Sequence, residues 1–329
     1  MDYVSVFSHW FVILSALIII ILVLKKALYK TSWKIQDCHV SLAGRTAIVT
    51  GANTGLGKHI AMEFASRKAR VILACRSRER GQKALEDIRS LTGNGDVHLR
   101  IIDTSSMQSV RRFTEQFLKE EQRLDILVNN AGVSGLPKGT TDEGFEITYS
   151  TNHLGPFLLT NLLLELMKKT PSARIINVTS VMHKQGKFNL KHLKGEDINC
   201  TAQSEFYDNT KLLNVLFTME LARKLQGTNV TVNCAHPGIV MTDVMRNYNI
   251  VFRVIFQLLG LFFFKTPKEG AVSILYSAMS EEMEGISGKY IDSDCTLTLP
   301  STLAQDETIQ KKLWDASEEL TGLKEKKEK

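Results

Sequence analysis

Residues 46–57, Thr46-Ala47-Ile48-Val49-Thr50-Gly51-Ala52-Asn53-Thr54-Gly55-Leu56-Gly57, decide the fold. A short β-branched and apolar run reads as a strand, glycines follow at 51, 55 and 57, and a helical pattern, Leu56–Arg67, opens directly behind them. Glycines placed there allow a tight turn, close approach of backbone to a pyrophosphate, and close packing of helix on strand. The helix N-terminus then faces the negative charge. A bland glycine turn is the competing reading, and its position between strand and helix argues against it.

Outward from this unit the alternation continues. Apolar runs of strand length fall at Val71–Ala74, Leu99–Ile102, Ile126–Asn129, Arg174–Thr179, Val230–Ala235 and Tyr290–Ile291. Between them lie helical patterns at Gln82–Arg89, Val110–Lys119, Phe157–Lys168 and Leu212–Leu225. Near-continuous apolar strands alternating with helices indicate a parallel sheet covered on both faces, the doubly wound α/β (Rossmann-type) plan in a single domain. Ala74-Cys75-Arg76 ends the second strand, 19 residues after Gly57. A carboxylate there would accept the ribose 2′-hydroxyl of NAD. Arg76 instead suits a 2′-phosphate, so the expected cofactor is NADP(H). Asp103, past the third strand, is placed to accept a hydrogen bond from the adenine or to cap the next helix.

The reacting end is read from Tyr207-Asp208-Asn209-Thr210-Lys211, which puts Tyr207 and Lys211 on one helical face. Carbonyl reduction needs a proton donor beside the carbonyl oxygen. A phenol of reference pKa near 10 must move to about 7 to work both ways, roughly 4 kcal/mol, and a neighbouring ammonium can contribute. Chance alone produces such a spacing, so its context matters. Ile175-Ile176-Asn177-Val178-Thr179-Ser180 ends a strand in hydroxyls, and ligands of such sheets lie beyond the strands' carboxyl ends. Asn129-Asn130-Ala131-Gly132 closes the fourth strand in the same way, with turn chemistry as the plainer alternative.

The chain has 329 residues, 43% of them hydrophobic, enough for a sizeable core. Half of the formal net charge of +6 comes from residues 1–34, which leaves too scattered a balance to argue for nucleic acid. Five cysteines without metal spacing fit a reducing compartment and give no metal site. Val4–Leu24 carries no formal charge, and as a helix it would span roughly 31 Å, about the hydrocarbon thickness of a bilayer. Lys25, Lys26 and Lys30 follow it without a small-residue cleavage site, so residues 1–30 read as an uncleaved anchor rather than a signal peptide. The positive-inside tendency then puts the remainder in the cytosol. Residues 31–41 form a linker, 42–323 the catalytic domain and 324–329 a charged tail.

Two segments interrupt the alternation: the polar Val181–Glu205 and the apolar Ile250–Phe264. The second is too short for a comfortable span. It reads as a lid dipping into the membrane interface or as a buried core helix. The sequons at Asn177 and Asn229 fall in expected strands, and a glycan on Asn199 would contradict a cytosolic domain.

Taken together, Thr50-Gly51-x-x-x-Gly55-x-Gly57, Asn129-Asn130-Ala131-Gly132, Asn152-His153-x-Gly155, Ser180, Tyr207-x-x-x-Lys211 and His236-Pro237-Gly238 resemble the short-chain dehydrogenase/reductase family over residues 42–323. The anchor, Ala74-Cys75-Arg76, Asn152-His153-Leu154-Gly155-Pro156-Phe157, the long Ser180–Tyr207 interval and Ser287-Gly288-Lys289-Tyr290 before Leu313-Trp314 make it most similar to the membrane-anchored retinol dehydrogenase-like branch. The resemblance implies that Tyr207 is the general acid/base, that Lys211 holds the nicotinamide ribose and lowers the Tyr207 pKa, that Ser180 orients the carbonyl oxygen, and that Asn152 supports a relay water. It implies a cofactor site from Gly51, Asn53, Thr54, Gly55, Leu56, Gly57, Arg76, Asp103, Asn129, Ala131, Gly132, Pro237 and Gly238, with Thr242 reaching the nicotinamide amide. The implied substrate is a lipophilic alcohol or carbonyl, a retinoid foremost, with a steroid or another lipid aldehyde as alternatives. The chain's last lysines, Lys326 and Lys327, resemble a dilysine retrieval signal and point to the endoplasmic reticulum membrane, a lipid droplet or a mitochondrial membrane being alternatives. A catalytically silent nucleotide-binding scaffold is the reading from another class, and epimerisation on the same fold a third. A homo-oligomer is left open.

Overall fold

The structure, a computed structural model, describes residues 13, 15, 16, 18, 20, 31–197, 203–241 and 246–324, without the side chains of residues 203, 252 and 261. Ile13, Ser15, Ala16, Ile18 and Ile20 of the expected anchor are helical. The rest of residues 1–30, Asn199, Thr242, Lys326 and Lys327 lie outside the described residues. Among those described, no helix is long and apolar enough to cross a membrane.

Strands β1 (Thr46–Thr50), β2 (Arg70–Cys75), β3 (Val97–Ile101), β4 (Ile126–Asn129), β5 (Ala173–Val178), β6 (Val230–Ala235), β7 (Tyr290–Ile291) and β8 (Leu297–Thr298) form one sheet in the order β3-β2-β1-β4-β5-β6-β7-β8. All neighbours pair in parallel except β7 with β8. The order reverses between β1 and β4, which places a crevice beyond their carboxyl ends.

Both sheet faces are apolar because both are covered. Ile48, Ile72 and Ala74 face one core, and Ala47, Val49, Val71 and Leu73 face the other. Helices α1 (Gly55–Ser66), α2 (Arg78–Thr92), α3 (Met107–Glu120), α4 (Gly155–Lys169), α5 (Gln203–Lys224), α6 (Ile250–Phe263), α7 (Pro267–Met279) and α8 (Glu307–Thr321) complete the domain. The expected elements recur with edges displaced by a few residues, as capping chemistry shifts them: Ser77 caps α2 and Ser106 caps α3. Absent from the expectations are the two-residue β8 and helix α8, whose Trp314 packs edge-on against Phe157 at 4.9 Å between ring centres.

One irregularity positions the site. Residues Ser150–Leu154 form a π turn ahead of α4, with the Gly155 N–H donating to the Ser150 carbonyl. It is pinned from outside: Ser150 Oγ donates to the Ser105 carbonyl at 2.8 Å, and a Cβ on Gly155 would run into the Thr104 carbonyl. Asn152 sits in the middle of this turn. Gly155→Ala should therefore cost about 1–3 kcal/mol of stability by overpacking, read as a lowered urea midpoint at unchanged slope. An unaltered midpoint would show that the Thr104 loop yields freely.

Candidate active site

A cavity of ≈ 630 Å³ opens at the carboxyl ends of the parallel strands. At its cofactor end Gly51 turns with φ +67°, and a Cβ there would stand 3.0 Å from the Ala131 Cα. Gly57 is tighter still, since its Cβ would fall 2.5 Å from both the Gly51 carbonyl and the Asn130 amide nitrogen. Thr50 ties the same pieces together: its Oγ1 accepts from the backbone N–H groups of Asn130 and Ala131, both at 2.9 Å. The Asn130 side chain returns a bond to the Thr50 carbonyl at 2.8 Å. The β1 turn, the start of α1 and the loop after β4 therefore form one rigid cradle lined by backbone, which suits a pyrophosphate at a helix N-terminus.

Of the residues expected at the cofactor, Gly51, Asn53, Thr54, Gly55, Leu56, Gly57, Arg76, Asp103, Ala131, Gly132, Pro237 and Gly238 line this cavity. Asn129 does not. It is buried in the opposite direction, donating to Thr160 Oγ1 at 2.9 Å and Asn177 Oδ1 at 2.8 Å, where it staples β4 to α4 and β5. Its neighbour Asn130 takes the place on the cavity wall. Asp103 does not cap α3, which Ser106 does; its Oδ1 accepts from the Ser105 backbone and hydroxyl at 2.9 and 2.7 Å. Arg76 is half exposed, with Nη1 3.9 Å from Asp103 Oδ2, and Arg80 joins it on the wall. Two guanidinium groups at the far edge fit a phosphate there. Arg80 had no sequence signal beyond being one of several arginines at the start of α2.

At the reacting end β5 delivers Ser180 and α5 delivers Tyr207 and Lys211. Ser180, Tyr207 and Lys211 line the same cavity, and the Ser180 hydroxyl favours the ionised form of the Tyr207 phenol. Lys211 Nζ donates to the Val178 carbonyl at 3.1 Å and lies over the Tyr207 ring, 5.2 Å from its centre. Asn152 stands one layer behind: its Oδ1 accepts from Val133 N at 2.8 Å, and its Nδ2 donates to the Val133 carbonyl and to Thr210 Oγ1 at 2.9 and 3.0 Å. It thereby braces the catalytic helix instead of lining the cavity. Tyr248, on the segment before α6, closes the far side with its phenol 2.9 Å from Ser134 Oγ.

The electrostatics depart from the sequence expectation. Burial pushes the Tyr207 phenol above its ordinary value, the Asp208 carboxylate adds to the rise, and among the resolved influences only the Ser180 hydroxyl opposes them. Lys211 contacts the ring face and not the oxygen, so the protein's own groups leave the phenol protonated at neutral pH. Burial also lowers the Lys211 ammonium to about 8.

His236 and His183 brace the rim. Burial lowers His236 to about 4, so it is neutral, and its Nδ1 accepts from Val181 N and Gly238 N at 3.3 and 3.4 Å. His183 links the Ser180 carbonyl, 2.7 Å from its Nδ1, to Ser301 N, 3.1 Å from its Nε2. Nothing in the sequence marked His183, because its partner lies 118 residues away. Among the described residues no cluster of His, Cys, Asp or Glu could hold a metal ion.

The family model described as short chain dehydrogenase matches residues 45–193. Mouse retinol dehydrogenase 11 is 42% identical over 311 residues, 94% of this chain and 97% of that protein. Human retinol dehydrogenase 14 is 44% identical over 85% of this chain and 87% of its own. Among solved structures, an uncharacterised protein from Mycobacterium paratuberculosis superposes with TM-score 0.71 at 32% identity, covering 89% of this chain and 98% of its own. The Pseudomonas aeruginosa RhlG/NADP complex superposes with TM-score 0.61 at 26% identity over 77% and 95% of the two chains.

The buried ammonium generates a stability prediction. A lysine lowered from 10.5 to about 8 binds its proton less tightly folded than unfolded, so the folded state is penalised in full below about 8 and not at all above 10.5. Between these values stability should climb with pH. Lys211→Met should remove the climb and stabilise the chain at neutral pH by on the order of 3 kcal/mol, while Asn214 Nδ2 remains to serve the Val178 carbonyl. Chemical denaturation of both proteins across that pH range checks it; parallel curves would refute the assignment.

Proposed function

The chain belongs to the short-chain dehydrogenase/reductase family, and from that premise we propose that it interconverts a lipophilic alcohol and its aldehyde or ketone with NADP(H), retinol and retinal being the inferred pair. The observation that carries this reading is the convergence of Ser180, Tyr207 and Lys211 on the same cavity as the glycine cradle, with Lys211 over the phenol ring. When bound, the dinucleotide supplies or accepts the hydride at the substrate carbon. Every other step falls to the chain's own residues.

In reduction, the Tyr207 O–H donates its proton to the carbonyl oxygen as that oxygen gains charge. The Ser180 hydroxyl donates a second hydrogen bond to the same oxygen and holds the phenol in line. A phenol kept protonated by burial is ready to give a proton, which favours reduction; oxidation needs the phenolate first. Lys211 would hold the nicotinamide ribose while its ammonium stands over the Tyr207 ring. Asn152, fixed by Val133 and Thr210, keeps helix α5 seated so that Tyr207 and Ser180 stay in register.

NADP(H) is favoured over NAD(H) by Arg76 and Arg80 at the adenosine edge, and by the RhlG/NADP complex, which shares the fold at 26% identity. The retinoid is inferred from relatives named retinol dehydrogenases at 42–44% identity and from the apolar side of the cavity, where Val181, Met182, Ile239, Phe256 and Phe264 stand. Residues 1–30 would anchor the chain in the endoplasmic reticulum membrane with the catalytic domain toward the cytosol.

Tyr207→Phe should lower the turnover of NADPH with all-trans-retinal by about 10²–10⁴-fold while NADPH still binds, as followed by its fluorescence. Arg76→Asp should weaken NADPH and favour NADH, inverting the preference. Cofactor binding without turnover on any aldehyde or ketone would replace this reading with that of a nucleotide-binding scaffold.

A further inference from the structure

Helix α6 has two unlike faces. Ile250, Val251, Val254, Ile255, Leu258, Leu259, Phe262 and Phe263 recur as adjacent pairs every four residues and are 38–67% exposed. On the other face Phe256, together with Phe264 just past the helix end, lines the cavity, with ring centres 4.6 Å apart. Gly260 lies between them, so close to Met241 that a Cβ would stand 2.8 Å from its Sδ. One helix thus separates the cavity from its surroundings by the thickness of its own side chains. The bare face continues onto the cavity rim, where Ile239 and Val181 are 50% and 37% exposed.

The charge beside this face is mainly positive. From Asp243 to Glu269 the sequence holds Arg246, Arg253, Lys265 and Lys268 against two carboxylates, Asp243 and Glu269, and Glu269 is taken up by the Thr266 backbone and hydroxyl at 2.7 and 2.9 Å; Lys265 is buried, and the other three basic residues are partly or fully exposed. A long apolar stripe flanked mainly by arginine and lysine is the pattern of a helix lying in the plane of an anionic membrane surface.

We infer that the outer face of α6 lies in the headgroup–acyl boundary of an anionic phospholipid membrane, making α6 the wall through which a lipid-dissolved substrate enters from the bilayer. The entry route rests on the function proposed above; the docking does not. An anchor at the N-terminus alone would tether the domain at any tilt. The α6 contact fixes the tilt, with the cavity mouth against the lipid.

The test uses the full chain in vesicles of phosphatidylcholine with or without phosphatidylserine. Leu258→Cys, in a background with Cys38→Ser and Cys200→Ser, carries an environment-sensitive dye, and Glu115→Cys on exposed α3 serves as the control. Acyl-chain nitroxide lipids should quench the dye at 258 by roughly half or more, more strongly with phosphatidylserine, and leave the dye at 115 bright. Val254→Glu combined with Leu258→Glu changes only exposed positions. It should lower turnover of vesicle-dissolved retinal on the order of tenfold and spare a short water-soluble aldehyde. Equal quenching at 115 and 258, or none at either, overturns the docking. So does disulfide pairing of two chains through residue 258 with no lipid quenching, which would give the face to a second copy. Quenching at 258 in a chain that turns over no carbonyl upholds the docking and removes the enzymatic reading instead.

Discussion

The site depends on how closely the end of β1 approaches the end of β4. Gly51, Gly57 and Asn130 occupy a space in which no side-chain carbon fits, and Thr50 fills its hydrogen-bonding needs within the same few residues. That contact sits at the switch point of the strand order, where helices depart to opposite faces and a crevice opens by necessity. Because the cradle is backbone, it presents N–H groups at fixed positions and loses little entropy on meeting a phosphate. The reacting groups on β5 and α5 take their places relative to it through the sheet register.

The reacting end carries an opposite economy. Tyr207 and Lys211 are held in an enclosed cavity where both charged forms are disfavoured, so the site costs stability and keeps the phenol neutral. The surroundings compensate with apolar packing, as Phe217 of α5 clusters with Phe157 and Trp314. Polar staples do the rest. The Thr179 hydroxyl donates to the Lys211 carbonyl at 2.8 Å, and Asn152 joins Thr210 to Val133, so the helix bearing the catalytic pair cannot slide against β5. Such a site gives up fold stability for geometry, a balance common where function needs strained chemistry.

Local pattern made much of this legible in the sequence. The β1 turn, Arg76, Ser180 and the Tyr207–Lys211 spacing all express short-range rules, and the cavity gathers them. What escaped depended on side-chain direction or distant partners. Asn129 and Asn130 look equivalent in sequence, yet the strand's alternation sends the first into α4 and the second to the cavity wall. His183 acquires a role only when residue 301 arrives beside it. The expected acidification of Tyr207 failed for a related reason: spacing puts Lys211 on the right face of α5, but only coordinates reveal that its nitrogen meets the ring and the Val178 carbonyl.

The apolar segment 250–264 shows why a composition can suggest two structures at once. Read as hydrophobicity alone, it fits a buried helix or a membrane lid equally well. The distinction lies in the period: a buried helix hides every face, whereas α6 shows paired apolar positions to its surroundings every four residues and turns Phe256, between two of these pairs, into the cavity. That division would be costly in water and is consistent with a lipid surface on one side and a lipophilic substrate on the other. Tyr248 then gains a meaning: its phenol on Ser134 latches the segment leading into α6 to the loop after β4. Through that latch the wall of the substrate cavity is joined to the same loop that cradles the cofactor, so a substrate that displaces α6 would pull on the cofactor's own support.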